Sequence, residues 1–120
     1  MDKLQAYNRF WNSFDIPAYD SLTVPDDAKT PYLTYETASD EFGATLYLTA
    51  SLWYRGTDWA DVTAKEKEIA ESIGRGGTSV PYEGGALWIM KRSPWAQRMD
   101  DPDDDTIRRI VLQYAVEFED

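Results

Sequence analysis

The chain contains no cysteine and no histidine. The first absence removes disulfides, thiolate nucleophiles and zinc–thiolate sites. The second removes the commonest general base, the commonest transition-metal ligand and any Ser-His-Asp triad. What chemistry remains belongs to carboxylates, Lys, Tyr, Ser and Thr. Long apolar runs are missing too: none approaches the ~18 residues that a membrane span requires. The opening residues Met1 to Tyr7 lack the apolar core of a signal peptide, so the expectation is a soluble protein used without export. Positive charge is scarce. Twelve Lys and Arg face 22 Asp and Glu, and the net charge of -10 has the wrong sign for duplex DNA or an anionic membrane as natural partner.

Aromatic residues, by contrast, are abundant. Five Trp, eight Tyr and four Phe in 120 residues exclude a disordered acidic chain and promise a packed core. The length suits a single domain over residues 1–120, and neither a repeat nor a linker divides it.

Periodicity assigns the elements. Leu4, Tyr7, Trp11 and Phe14 recur at spacings of three and four, which predicts an amphipathic helix over 2–14, stopped by Pro17. Residues 16–31 read as a proline-broken connector with a short extended piece at 18–22. Alternation predicts a strand from Pro31, then a polar turn at 38–43 carrying Asp40 and Glu41. A long strand follows over 44–54, with Leu46, Leu48, Ala50, Leu52 and Tyr54 on one face and Tyr47, Thr49, Ser51 and Trp53 on the other. A second helix opens at Gly56, capped by Thr57 or Asp58. It carries Trp59, Val62, Ile69, Ala70 and Ile73 inward and Lys65, Glu66, Lys67, Glu68 and Glu71 in solvent, and it stops at Gly74. Strands at 80–83 and 86–92 meet at Gly84-Gly85. Residues 93–105 read as a polar excursion, and 106–118 as a last strand with Ile110, Leu112, Tyr114, Val116 and Phe118 on one face and Arg109, Val111, Gln113, Ala115 and Glu117 on the other. The expected fold is α+β: a mainly antiparallel or mixed sheet of four to five strands, with two helices packed on one face.

Motifs for chemistry fail on inspection. Asp101, Asp103 and Asp105 match the start of a calcium loop, but Thr106 stands where the turn needs Gly and Leu112 where a bidentate Glu belongs. The glycines of Gly74-Arg75-Gly76-Gly77-Thr78-Ser79 follow a helix instead of preceding one, and the phosphate-binding Lys is missing. Paired carboxylates are uninformative among 22 acids, because the spacing that glycosidases need is a tertiary property. Basic and aromatic residues interleave once, from Trp88 to Arg98. Single-stranded nucleic acid can use such a segment, but in an acidic chain packing on the protein's own core or a protein contact is the better use, since Trp and Arg anchor interfaces.

Three stretches carry a family resemblance. They are Pro31-Tyr32-Leu33-Thr34-Tyr35-Glu36 after an amphipathic helix; the run from Gly84-Gly85 through Lys91-Arg92-Ser93-Pro94-Trp95 to Met99; and the Asp-rich turn followed by Thr106 to Phe118. Over roughly residues 4–119 the chain resembles the small tail terminator, or tail completion, proteins of long-tailed phages and of prophages in low-GC Gram-positive bacteria.

The resemblance implies a virion structural protein at the head–tail junction, present in the host cytoplasm during assembly. Such proteins form a hexameric ring that caps the tail tube and then offers a docking surface to the head connector protein, with DNA passing through the lumen as cargo. It implies no enzyme activity and no catalytic residue, cofactor or metal, and no membrane partner. A ring needs one surface to meet a different surface on its neighbour. The candidates for that contact are Tyr47, Trp53, Arg92, Trp95 and Arg98. The acidic run Asp100, Asp101, Asp103, Asp104 and Asp105 is the candidate lumen or partner loop, like charge discouraging DNA from sticking. Two other readings compete: an acidic DNA mimic that inhibits a basic nucleic-acid enzyme, and a small carboxylate hydrolase, which needs a concave pocket with two facing acids.

Overall fold

The computed structural model describes residues 1–37 and 45–119; the acidic turn expected at 38–43 lies outside them. Helix α1 (Lys3–Trp11) starts from a capping box. The Asp2 carboxylate accepts from the Gln5 amide at 2.8 Å, and the Gln5 side chain accepts from the Asp2 amide at 3.0 Å. A 3-10 turn (Asn12–Phe14) ends the helix, and Asp15, at φ 65, turns the chain before Pro17 arrives. The Asn12 side chain then pins the next segment, accepting from the Ala18 amide and donating to the Ala18 carbonyl. Strand β1 (Ala18–Asp20) begins there and runs parallel to β2 (Tyr32–Tyr35).

Strand β3 (Thr45–Arg55), helix α2 (Ala60–Ile73), β4 (Thr78–Tyr82), β5 (Gly85–Met99) and β6 (Ile107–Glu119) complete the chain. The sheet order is β1-β2-β3-β6-β5-β4, and every pair except β1–β2 is antiparallel. The fold is α+β. The sheet is mixed and has six strands instead of four to five; the added one is the short parallel strand that Asn12 fixes.

The long antiparallel pair β3–β6 is the spine. Its register places Leu46, Leu48, Ala50 and Leu52 opposite Val116, Tyr114, Leu112 and Ile110, so the inward sets of both strands share one face. Leu87 and Ile89 of β5 continue that face. Both helices cover it, with Tyr7 and Trp11 from α1 and Val62, Ile69 and Ile73 from α2 joining a single core.

Three sequence expectations change. Leu4 is not part of the buried stripe; it is 58% exposed, and Ala6, Tyr7, Trp11 and Phe14 are buried instead. Lys65 is not solvated: its side chain is only 14% exposed, and its ammonium donates to the Phe14 carbonyl at 2.6 Å and to Glu68 at 3.0 Å. Residues 93–99 are not an excursion, because β5 runs on to Met99 through a bulge between Lys91 and Ala96. Only 100–106 remain as a loop.

Buried hydroxyls tie α1 to the sheet. Tyr7 donates to the Glu36 carbonyl at 2.6 Å, and the Tyr7 and Tyr114 oxygens lie 2.5 Å apart. Burial pushes both phenols well above their ordinary values, so neither ionises at neutral pH. Tyr7→Phe is expected to cost about 1–3 kcal/mol in urea unfolding, because it leaves the two partners only their long mutual bond, Tyr114 hydroxyl to Glu36 carbonyl at 3.5 Å. A loss of only a few tenths would show that water replaces the hydroxyl.

Candidate interaction surface

The face of the sheet opposite the helices has no helix over it among the described residues. Alternation along β3 and β6 dictates what stands there. From β1 through β2 to β3 it holds a ladder of rings. Tyr19 and Tyr32 lie 5.9 Å apart, Tyr32 and Trp53 stack at 6.2 Å, and the Arg109 guanidinium sits 4.4 Å from the Trp53 ring centre. The Trp53 indole and the Arg109 guanidinium of this ladder are already engaged. Trp53 Nε1 donates to Thr34 Oγ1 at 2.9 Å, and Arg109 donates twice to Ser51 Oγ. Partial burial lowers the Arg109 pKa, and the nearby Asp101 opposes that shift. Beside the ladder lies a shallow depression of about 360 Å³ lined by Tyr32, Thr34, Glu36, Thr49, Ser51 and Trp53, among others.

Further along the same face the character changes. Tyr47 is 64% exposed, and the Arg92 guanidinium lies 4.3 Å over its ring. The two reach each other across β6, where the residue opposite Tyr47 is the small Ala115. Trp88 and Met90 of β5, partly buried, extend the patch.

The candidate interface residues therefore do not form one surface. Tyr47, Trp53 and Arg92 share the open face. Trp95, by contrast, packs against the hydrophobic core, its indole nitrogen buried without a partner. Arg98 pairs opposite the inward Ile110 and stacks on Trp59 at 4.9 Å, with Arg108 at 5.5 Å from the same ring. The bulge separates them: it shifts the phase of β5, so even-numbered residues such as Trp88 and Met90 face away from the core before it, while Ala96 and Arg98 lie opposite the inward Leu112 and Ile110 after it.

The acidic loop is held by its neighbours. Asp104 accepts from Arg55 at 2.6 Å and from the Thr106 hydroxyl and amide. The Thr106 hydroxyl first, then Arg55 and the Thr106 amide, lower its pKa to about 2. Asp101 accepts from the Asp103 amide at 2.9 Å. Among the described residues no three carboxylates converge on a point as metal ligands would.

One further concavity was not foreseen. A groove of about 580 Å³ runs between α1 and the edge strand β4, lined by Phe10, Arg9, Val80, Pro81 and Tyr82, with Glu83 as its carboxylate. Two elements far apart in sequence form it, and no pattern within either element signals it.

No family model, curated protein or solved structure matches this chain.

Proposed function

We propose that this chain is a tail terminator of a phage or prophage virion: an assembling ring protein that caps the tail tube, joins it to the head connector and lets DNA through its lumen. The observation that carries this reading is the open sheet face. A small domain that already buries a full core on one side still presents Tyr47, Trp53, Trp88 and Met90 on the other, rimmed by arginine. Aromatic residues with arginine are the composition of a protein interface. The resemblance of residues 31–36, 84–99 and 106–118 points the same way. The net charge of -10 suits a passage through which DNA must slide without sticking.

The acidic DNA mimic fits less well. Its acids need a continuous negative surface, but Arg55, Arg108 and Arg109 are interleaved at the same end of the sheet as the aspartates, and Asp104 is bonded to one of them. The hydrolase reading lacks its paired acids in the two concavities described: Glu83 is the one carboxylate of the α1–β4 groove and Glu36 that of the open-face depression.

The test is to mix the full chain with purified phage tail tube protein and to image tubes by negative-stain electron microscopy. Tubes that stop growing and carry a ring of density at one end are expected. Bare tubes of unchanged length, together with virions lacking this chain whose normal tails are joined to full heads, would refute the reading.

A further inference from the structure

We infer that the open-face patch of Arg92 and Tyr47 receives the aspartate loop 100–106 of the neighbouring copy, making the head-to-tail contact of the ring. The inference rests on the ring reading above and names its joint. Arg92 is exposed, and among the described residues no carboxylate pairs with it; its one contact is the Tyr47 ring. Lys91 lies beside it on the chain. The loop offers the complement. Asp104 is taken by Arg55, and Asp101 lies close to Arg109, but the carboxylates of Asp100, Asp103 and Asp105 are exposed and form no ion pair among the described residues; Arg108 reaches the Asp105 carbonyl instead.

Geometry prevents the two from meeting within one copy. Tyr47 pairs with Ala115, whereas the loop joins β6 before Ile107. Eight residues of strand separate them, roughly 26 Å at the usual rise. Opposite charges at opposite ends of one sheet make two different complementary surfaces, and that is a heterologous contact. Such a contact closes into a ring when the rotation between copies permits. The stacked guanidinium is suited to this task, since its free edge can take a carboxylate while its face stays on the Tyr47 ring.

The absence of cysteine supplies a clean experiment. Ser93→Cys places a thiol beside Arg92, and Pro102→Cys places one within the loop; neither removes a charge. The two full-length variants are mixed under mild oxidation, with and without tail tube protein, and non-reducing gels count the dimers. The S93C–P102C heterodimer is expected to exceed either homodimer about ten-fold. Arg92→Glu on the S93C chain is expected to bring it down to homodimer level, and Asp103→Lys with Asp105→Lys on the P102C chain to restore it. Equal amounts of all three dimers overturn the inference, as does a heterodimer indifferent to the charge reversals. If wild-type chain caps tubes while the heterodimer is absent, the ring reading stands and this joint is wrong. If Arg92→Glu abolishes capping without any cross-link, the patch faces the tube protein instead, and the inference falls.

Discussion

Replacing Trp11 by alanine is expected to destabilise the fold by about 3–5 kcal/mol, the cost of truncating a fully enclosed large aromatic. Trp11 has no accessible surface. Its ring centre lies 5.0 Å from Phe10 and from Tyr114, 6.3 Å from Tyr35, and 6.5 Å from Tyr7 and Phe14. It thus joins α1 and the 3-10 turn to β2 and β6 at one point. A domain of this length holds only about 5–15 kcal/mol in total, so this one change removes a large fraction of it. The cavity would open against the Tyr7 and Tyr114 rings, and the loss should exceed that of Tyr7→Phe. Urea unfolding followed by far-ultraviolet circular dichroism measures it, and Trp11→Phe, which keeps a ring in place, should cost distinctly less. A loss below about 1 kcal/mol would mean that α1 does not belong to the cooperative unit formed by the sheet.

That helix shows how far the sequence could be read. The spacing of Tyr7, Trp11 and Phe14 declares a buried stripe, and all three are buried. The error at Leu4 comes from chemistry that periodicity ignores. Lys3 lies over the rings of Tyr82 and Phe118 at 5.4 and 4.8 Å, so a cation takes the position near the sheet that a leucine would be expected to hold. Lys65 misleads in the same way. Its acceptor is a carbonyl freed at the end of a 3-10 turn 51 residues earlier, which no local pattern announces. Strands β3 and β6 were legible because apolar residues recur at every second position on the face that packs against the helices, a period of two sustained for eleven residues or more. The second half of β5 was not. Before its bulge the inward residues are Leu87, Ile89 and Lys91; after it they are Ala96 and Arg98. The phase shifts from odd to even, and alternation across the join cancels.

The candidate surface was legible to a similar depth. Alternation alone puts Tyr47 and Trp53 on the face away from the core. It cannot show that Arg92 crosses a whole strand to reach Tyr47, because that reach depends on Ala115 being small and on a bulge that the sequence hides. Trp95 shows the converse limit. Its basic neighbours suggest an anchor for a partner, while the bulge turns it onto its own core.

The edge of the sheet yields the other large effect. Gly77→Ala is expected to cost about 2–4 kcal/mol, from a strained backbone and from overpacking together. Gly77 adopts φ 94, which side chains of L residues rarely take. A Cβ there would lie 2.8 Å from the Ile89 carbonyl oxygen, from Trp88 Nε1 and from Met90 Cγ. The Met90 side chain can move aside, but the Ile89 oxygen belongs to the backbone of β5 and cannot. The relief available is for β4 to withdraw, since it is an edge strand paired with β5 alone. Gly76→Ala is the control: its Cβ would meet nothing within 4 Å, and its φ is not among the positive ones. That substitution should leave stability unchanged or raise it by up to about 1 kcal/mol through a less flexible unfolded chain. Thermal unfolding of both variants compares the totals. Amide exchange locates the loss, which should concentrate in Thr78–Tyr82 and in their partners across β5. If the two alanines behave alike, then β4 does not depend on the close approach at Gly77. If, in the capping test of the proposed function, G77A loosens β4 and caps tubes as well as the unaltered chain, the α1–β4 groove plays no part in that assembly, and the burden rests on the open face alone.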